Sequence, residues 1–155
     1  MNKAFILFIS AISLINSTAC KSNIEEETSS QNIMEIPKDM RQITITVGSK
    51  IFKATVIDSP TTEAFIALLP ITINMKDLNG NEKYFDLPQE LPTNAFNSKT
   101  IQNGDLLVYG STTLVLFYKS FTTSYSYTRI ASVDNPAGLA KAVGSGNVTV
   151  IFSAD

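Results

Sequence analysis

Apolar and polar residues alternate through most of the chain beyond residue 42. Ile43-Thr44-Ile45-Thr46-Val47 puts aliphatic side chains on one face and hydroxyls on the other, and Phe52-Lys53-Ala54-Thr55-Val56 repeats the period after a Gly48-Ser49 turn. Two such runs across a two-residue turn predict a β-hairpin. The period then changes. Ser59 is placed to cap a helix, Pro60 to occupy its first position and Glu63 its first turn, while Phe65, Leu68 and Leu69 form one apolar stripe that Pro70 ends. Alternation resumes at Ile71, Ile73 and Met75, and Asn79-Gly80 suits a type I′ turn into a partner strand over 83–87. Residues 88–105, with Pro88, Pro92, Asn94, Asn97, Asn103 and Gly104, predict a long irregular connection of the kind that is often functional.

Two continuous apolar runs follow, 106–109 and 114–118, separated by Gly110-Ser111, and then a strand over 127–132. Asn135-Pro136 opens a short helix through Leu139, Ala140 and Val143, which Gly144 ends; Val148, Val150 and Phe152 form the last strand. Eight short strands and two short helices with frequent turns make the domain mainly β. They favour a closed antiparallel barrel over a sandwich, since closure removes exposed edges.

Upstream the pattern is different. Lys3 precedes an apolar stretch over 4–15, too short for the ~20 residues of a membrane-spanning helix. Ser17-Thr18-Ala19-Cys20 then leads small residues into a cysteine. That order resembles a bacterial lipoprotein signal, although Ser17 stands where such signals usually carry leucine. The expectation is a signal peptide over 1–19, a lipidated Cys20 with a flexible tether over 20–41, and a barrel domain over 42–155. The alternative is an ordinary secretory signal cleaved after Ala19. Glu25-Glu26-Glu27 resembles the acidic export signals of surface-exposed lipoproteins and equally suits a plain solvated linker. Either way the expected address is the bacterial cell envelope, with a membrane held through the lipid anchor as one partner.

Composition narrows the chemistry. Lys and Arg number 12 against 14 Asp and Glu, or 11 against 14 once Lys3 leaves with the signal. Without a basic run, the chain does not suit nucleic acid. It has no histidine, which removes the commonest general base and metal ligand at neutral pH. Its single cysteine cannot form an intramolecular disulfide, no residue set matches a zinc site or a calcium loop, and no cofactor is implied. A hydrophobic fraction of 44% suffices for a core without staples.

Several segments together resemble a known family. These are Gly104-Asp105-Leu106-Leu107-Val108-Tyr109-Gly110, the run from Leu114 through Phe117, Tyr118 and Phe121, and Ser124-Tyr125-Ser126-Tyr127-Thr128-Arg129-Ile130. Leu68-Leu69-Pro70, Leu91-Pro92, Gly138-Leu139-Ala140 and Val148-Thr149-Val150-Ile151-Phe152 fit as well. The whole is similar to the cyclophilin-like domain family of bacterial secreted and lipid-anchored proteins. The resemblance implies an eight-stranded cyclophilin-like β-barrel capped by two short helices. It does not carry activity across: prolyl-isomerase cyclophilins use an arginine followed by phenylalanine and a Gln-Gly-Gly segment, and this chain has no such segment.

Candidate site residues follow from strand parity. Tyr125, Tyr127 and Arg129 share one parity, so an inward Ile130 sends Tyr127 and Arg129 outwards together. Arginine beside tyrosines can hold a carboxylate or stack on a carbonyl-rich ligand, while the plainer reading is a solvated residue paired with a surface acid. Phe117 and Tyr118, with Phe121, are either core or the lining of an aromatic pocket. Glu63 is either a helix-stabilising acid or a ligand contact, and Asp105 is a turn residue. The function expected is a non-catalytic module that binds a small ligand or peptide segment at the envelope. A divergent prolyl isomerase using Arg129 and a structural interaction domain of an envelope complex are the alternatives.

Overall fold

In a computed structural model, the structure describes residues 41–155. The expected signal peptide, Cys20 and nearly all of the tether lie outside the described residues. The Arg41 carbonyl accepts from the Val56 amide (2.9 Å), and the Arg41 guanidinium pairs with Glu63.

Eight strands close into a barrel. The first hairpin joins β1 (Gln42–Val47) to β2 (Lys50–Val56), with Val47 opposite Lys50 and Gly48 at positive φ in the turn. Helix α1 (Pro60–Ile66) follows, its first turn satisfied by the Thr62 amide donating to Ser59 Oγ (3.1 Å). The second hairpin is β3 (Ile71–Leu78) with β4 (Glu82–Asp86). Asn79 and Gly80 both take positive φ, as a type I′ turn needs. The third hairpin is β6 (Asp105–Tyr109) with β7 (Thr113–Phe117), preceded by a short β5 (Thr100–Ile101) and followed by an equally short β8 (Phe121–Thr122). After β9 (Thr128–Val133) come α2 (Leu139–Val143) and β10 (Val148–Ala154).

Around the barrel the order is β1-β10-β3-β4-β7-β6-β9-β2, with every neighbouring pair antiparallel. Ile43, Ile45, Met75, Leu106, Leu116, Val150 and Phe152 fill the interior. Phe65 of α1 and Leu139 and Val143 of α2 join the same cluster, so both helices pack their apolar faces on the barrel core. Phe65 meets Phe152 edge to face at 5.8 Å.

The structure differs from the sequence expectation in three places. Helix α1 ends at Ile66, not at Pro70: the Leu68 and Leu69 amides donate to the Phe65 and Ile66 carbonyls (both 3.0 Å) in a tighter turn beyond it, although both leucines still pack against the core. Helix α2 begins at Leu139, not at Asn135: Asn135 Oδ1 accepts from the Ala137 amide in a turn, and Gly138 adopts a left-handed φ of 85°. The connection over 88–105 is also partly ordered as sheet. Its β5 pairs with β8 outside the barrel, and Phe96 exchanges two backbone hydrogen bonds with Tyr127 at 3.1 Å.

That outer pairing explains the two continuous apolar runs. Leu106, Val108, Leu114 and Leu116 point inwards, while Leu107, Val115 and Phe117 point outwards. The outward set is buried beneath Ile101 and Tyr127, with Phe121 and Tyr84 at its margin. A strand apolar on both faces is covered on both faces.

Lys83 makes a second, polar knot. It is 0% exposed, and its Nζ donates to Asp77 Oδ1 (2.7 Å) and to the carbonyls of Gly144 (2.9 Å) and Gly146 (2.6 Å). The Tyr118 hydroxyl donates to the same Asp77 oxygen (2.6 Å), and the Tyr118 ring lies 5.3 Å from the ammonium. The cluster ties β3, β4 and the end of β7 to the loop after α2.

Candidate functional site

Alternation along β4 divides its side chains. Lys83 and Phe85 go to the interior, so Glu82, Tyr84 and Asp86 face outwards. The neighbouring strand β7 presents Thr113 and Val115 on the same outer face, and Tyr109 stands at the end of β6. Residues 121–125 run past this surface and turn it into a groove of about 610 Å³. Tyr125 and Tyr127 close its far side.

The wall is fixed by backbone and amide contacts. The Thr123 amide donates to the Lys99 carbonyl (3.0 Å), Asn97 Nδ2 to the Ser124 carbonyl (2.6 Å) and the Tyr125 amide to Thr123 Oγ1 (3.1 Å). Aromatic rings continue the wall. Tyr109 meets Tyr125 edge to face at 5.9 Å and Tyr127 at 5.7 Å. Phe117 supports them from beneath, 5.5 Å from Tyr127 and 5.6 Å from Phe121. Burial pushes the Tyr127 hydroxyl pKa up, and the negative charge of Glu82 adds to that.

Glu82 is the one buried acid in the groove, 8% exposed, and it makes no hydrogen bond or ion pair with any described residue. Burial alone raises its pKa above the usual carboxylate range. Asp86, nearer solvent, accepts from Thr113 Oγ1 (2.7 Å). No lysine or arginine lines the groove.

The six sequence candidates separate. Tyr125 and Tyr127 line the groove, and Ile130 does point inwards. Tyr127 nevertheless does not stand free on the surface, because the 96–101 segment covers it. Arg129 shares Tyr127 with a smaller cleft of about 270 Å³ between Phe96 and Leu107. Its Nη2 lies 3.6 Å from Asp105 Oδ1, and its side chain is 41% exposed. Asp105 is buried, and its other oxygen accepts from the Gln102 amide (2.8 Å), which fits the turn role. Phe117 lies under the groove as packing.

Tyr118 and Glu63 are not brought to the site. Tyr118 has the inward parity of Leu114 and Leu116 and is consumed by Asp77. Its hydroxyl is pushed up to about 12 by burial first and by its bond to Asp77 second. Glu63 sits in the first turn of α1 and pairs with Arg41. The residues that sequence reasoning missed are Glu82, Tyr84 and Tyr109. For Glu82 and Tyr84 the signal was the outward parity of β4, and for Tyr109 its place at the end of β6, a strand apolar on both faces.

Among the described residues, no group of three or more His, Cys, Asp or Glu side chains is placed to hold a metal ion. No helix among them is long and apolar enough to cross a membrane.

A family model described as the cyclophilin-like family matches residues 45–153. The solution structure of a hypothetical protein from Archaeoglobus fulgidus is similar, with a TM-score of 0.53 and 19% identity. The match covers 78% of this chain and 98% of that one, and at such identity the likeness bears on fold alone. No curated protein matches the sequence significantly.

Proposed function

The chain belongs to the cyclophilin-like family, and from that premise we propose that its barrel is a non-catalytic module binding a small ligand or peptide segment in the outer groove. The observation that carries this reading is the groove itself: a concave, half-apolar surface of about 610 Å³ with aromatic rings and one buried acid. Ligand sites combine apolar area with a few fixed polar groups in this way. A purely structural partner would call for a flat exposed patch instead.

Chemical-shift mapping against a panel of short blocked peptides and small heterocycles is the direct test. Binders are expected to perturb Glu82, Tyr109 and Tyr125, and Tyr109→Ala should weaken them about tenfold, the scale of one lost aromatic contact. Binders that map only to a flat face elsewhere would favour the interaction-domain alternative. For the isomerase alternative, Arg129 would have to polarise a prolyl carbonyl, yet its guanidinium is already turned towards Asp105. Proline-isomer exchange on a short peptide should therefore run at the uncatalysed rate. Acceleration abolished by Arg129→Ala would establish catalysis in its place.

The envelope address belongs to the same proposal. Lys3, the apolar stretch over 4–15 and the Ser17-Thr18-Ala19-Cys20 junction support lipidation of Cys20 in a bacterial host, with 20–41 as the tether. Palmitate labelling of the full chain should disappear in Cys20→Ser. Label retained in that variant would leave an ordinary cleaved signal as the better account.

A further inference from the structure

Resting on the binding-module reading above, we propose that the outer groove selects an organic cation, an alkylammonium or guanidinium group, seated over the Glu82 carboxylate among Tyr84, Tyr109, Tyr125 and Tyr127. Three observations converge on this chemistry.

The first is the unmatched acid. Glu82 is more than nine-tenths buried, lines the groove, and has no hydrogen-bond or ionic partner among the described residues. The other buried charged side chains each have an ionic partner: Lys83 has Asp77 and two carbonyls, and Asp105 has the Gln102 amide on one oxygen and the Arg129 guanidinium 3.6 Å from the other. The Glu82 carboxylate opens only onto the groove, and a carboxylate partly withdrawn from water gains from a counter-charge. A ligand cation supplies the missing partner. Burial also holds the Glu82 pKa above its ordinary value, as expected of an acid whose counter-charge is absent.

The second is the rings. Four tyrosines line one groove, and Tyr109 and Tyr125 remain largely exposed although large aromatic side chains usually find cover. Ring faces carry negative charge density, and several together form the cages that recognise ammonium groups.

The third is the sign of the field. The charged residues of the lining are Glu82 and Asp86, with no lysine or arginine to oppose them. A ligand carboxylate or phosphate would find hydroxyl and amide donors there but two like charges and no counter-charge. A neutral carbonyl ligand could use Glu82 only in its protonated form, as a donor. An amide in place of Glu82 would preserve that role and destroy a cation site.

The cation can come as a free amine or as the side chain of a peptide, and the two are separated by the probes. Full-length protein is titrated with choline and its neutral isostere 3,3-dimethylbutanol. It is then titrated with a blocked Gly-Lys-Gly peptide and the same peptide bearing norleucine. Groove resonances report binding by NMR. The charged member of at least one pair should bind about tenfold more tightly than its neutral isostere. Glu82→Gln should erase that preference, and Tyr125→Ala, at an exposed position that does not threaten the fold, should weaken the charged probe about fivefold. Preference in the choline pair alone assigns a small amine; preference in the peptide pair assigns a basic side chain. Equal binding of charged and neutral partners, or a preference that survives Glu82→Gln, overturns the cation assignment and leaves the binding module standing. A groove unperturbed by every probe overturns the cation assignment, and the binding-module reading falls with it only if the wider panel of blocked peptides and heterocycles also leaves the groove unperturbed.

Discussion

Asp77→Ala should lower the stability of the barrel by about 3 kcal/mol, the scale of removing one partner from a buried ion pair. For a domain of this size that is a fall in melting temperature of roughly 10–15 °C. The reason is an asymmetry between the two partners. Lys83 has no exposure at all and cannot turn its ammonium to water, whereas the Asp77 side chain is 25% exposed and can be rehydrated. Lys83→Met removes the charge and keeps the length of the stem, so it should cost less than Asp77→Ala. The double substitution should recover most of the loss seen with Asp77→Ala alone. Thermal and urea unfolding of the three variants would measure this, and Asp77→Ala within 1 kcal/mol of the parent would refute it.

The same cluster sets a pH window. Hydrogen bonds from Lys83 and then Tyr118 hold the Asp77 pKa below the ordinary carboxylate value. Its contribution is therefore complete above that ordinary value and is lost as pH falls through the lowered one. Tyr118 acts at the other end, where its folded pKa of about 12 exceeds the ordinary 10.0. The unfolded chain ionises first, so stability present below pH 10 drains away as pH rises towards 12. Tyr118→Phe should lose this alkaline component and flatten the profile in that interval.

Alternation located several barrel strands, because each has one face in a common core and the period of two survives in Ile43-Ile45-Val47, Ile71-Ile73-Met75 and Val148-Val150-Phe152, while turn residues and the continuous apolar runs marked others. The Asn79-Gly80 turn was equally legible, since few residues accept two positive φ angles. The outer layer was not. Its cover comes from 96–101 and 121–127, polar stretches in which Ile101, Phe121 and Tyr127 are isolated apolar residues without a period. The continuous runs 106–109 and 114–118 implied that something lay over them without saying what. Lys83 shares the parity of Phe85 and Leu87, but its partners stand at 77, 144 and 146, and only barrel closure brings them together. Half of the groove was hidden for a similar reason. Glu82 and Tyr84 read as the solvent face of a hairpin strand until residues 121–125 are folded across them.

Phe117→Ala is the variant that should separate that outer layer from the barrel it rests on. Phe117 is fully buried and touches Tyr127 and Phe121, so truncation should cost about 3–5 kcal/mol. Phe152→Ala, inside the barrel against Phe65, should cost a similar amount. Their local effects should differ, because only the cavity left by Phe117 opens beneath the groove wall. That wall is held by two residues of β5 on two of β8, the Phe96–Tyr127 pairing and the Thr123 amide on Lys99. Such a short ladder is stabilised chiefly by the side chains under it. Hydrogen exchange at the Thr123 and Tyr127 amides should accelerate in Phe117→Ala well beyond the change at Ile45 or Val150, whereas Phe152→Ala should shift all four together. Equal acceleration everywhere in Phe117→Ala would mean that wall and barrel open as one unit. The expected split instead makes the groove a separable layer, whose rings and acid can be altered without touching the interior that closes the fold.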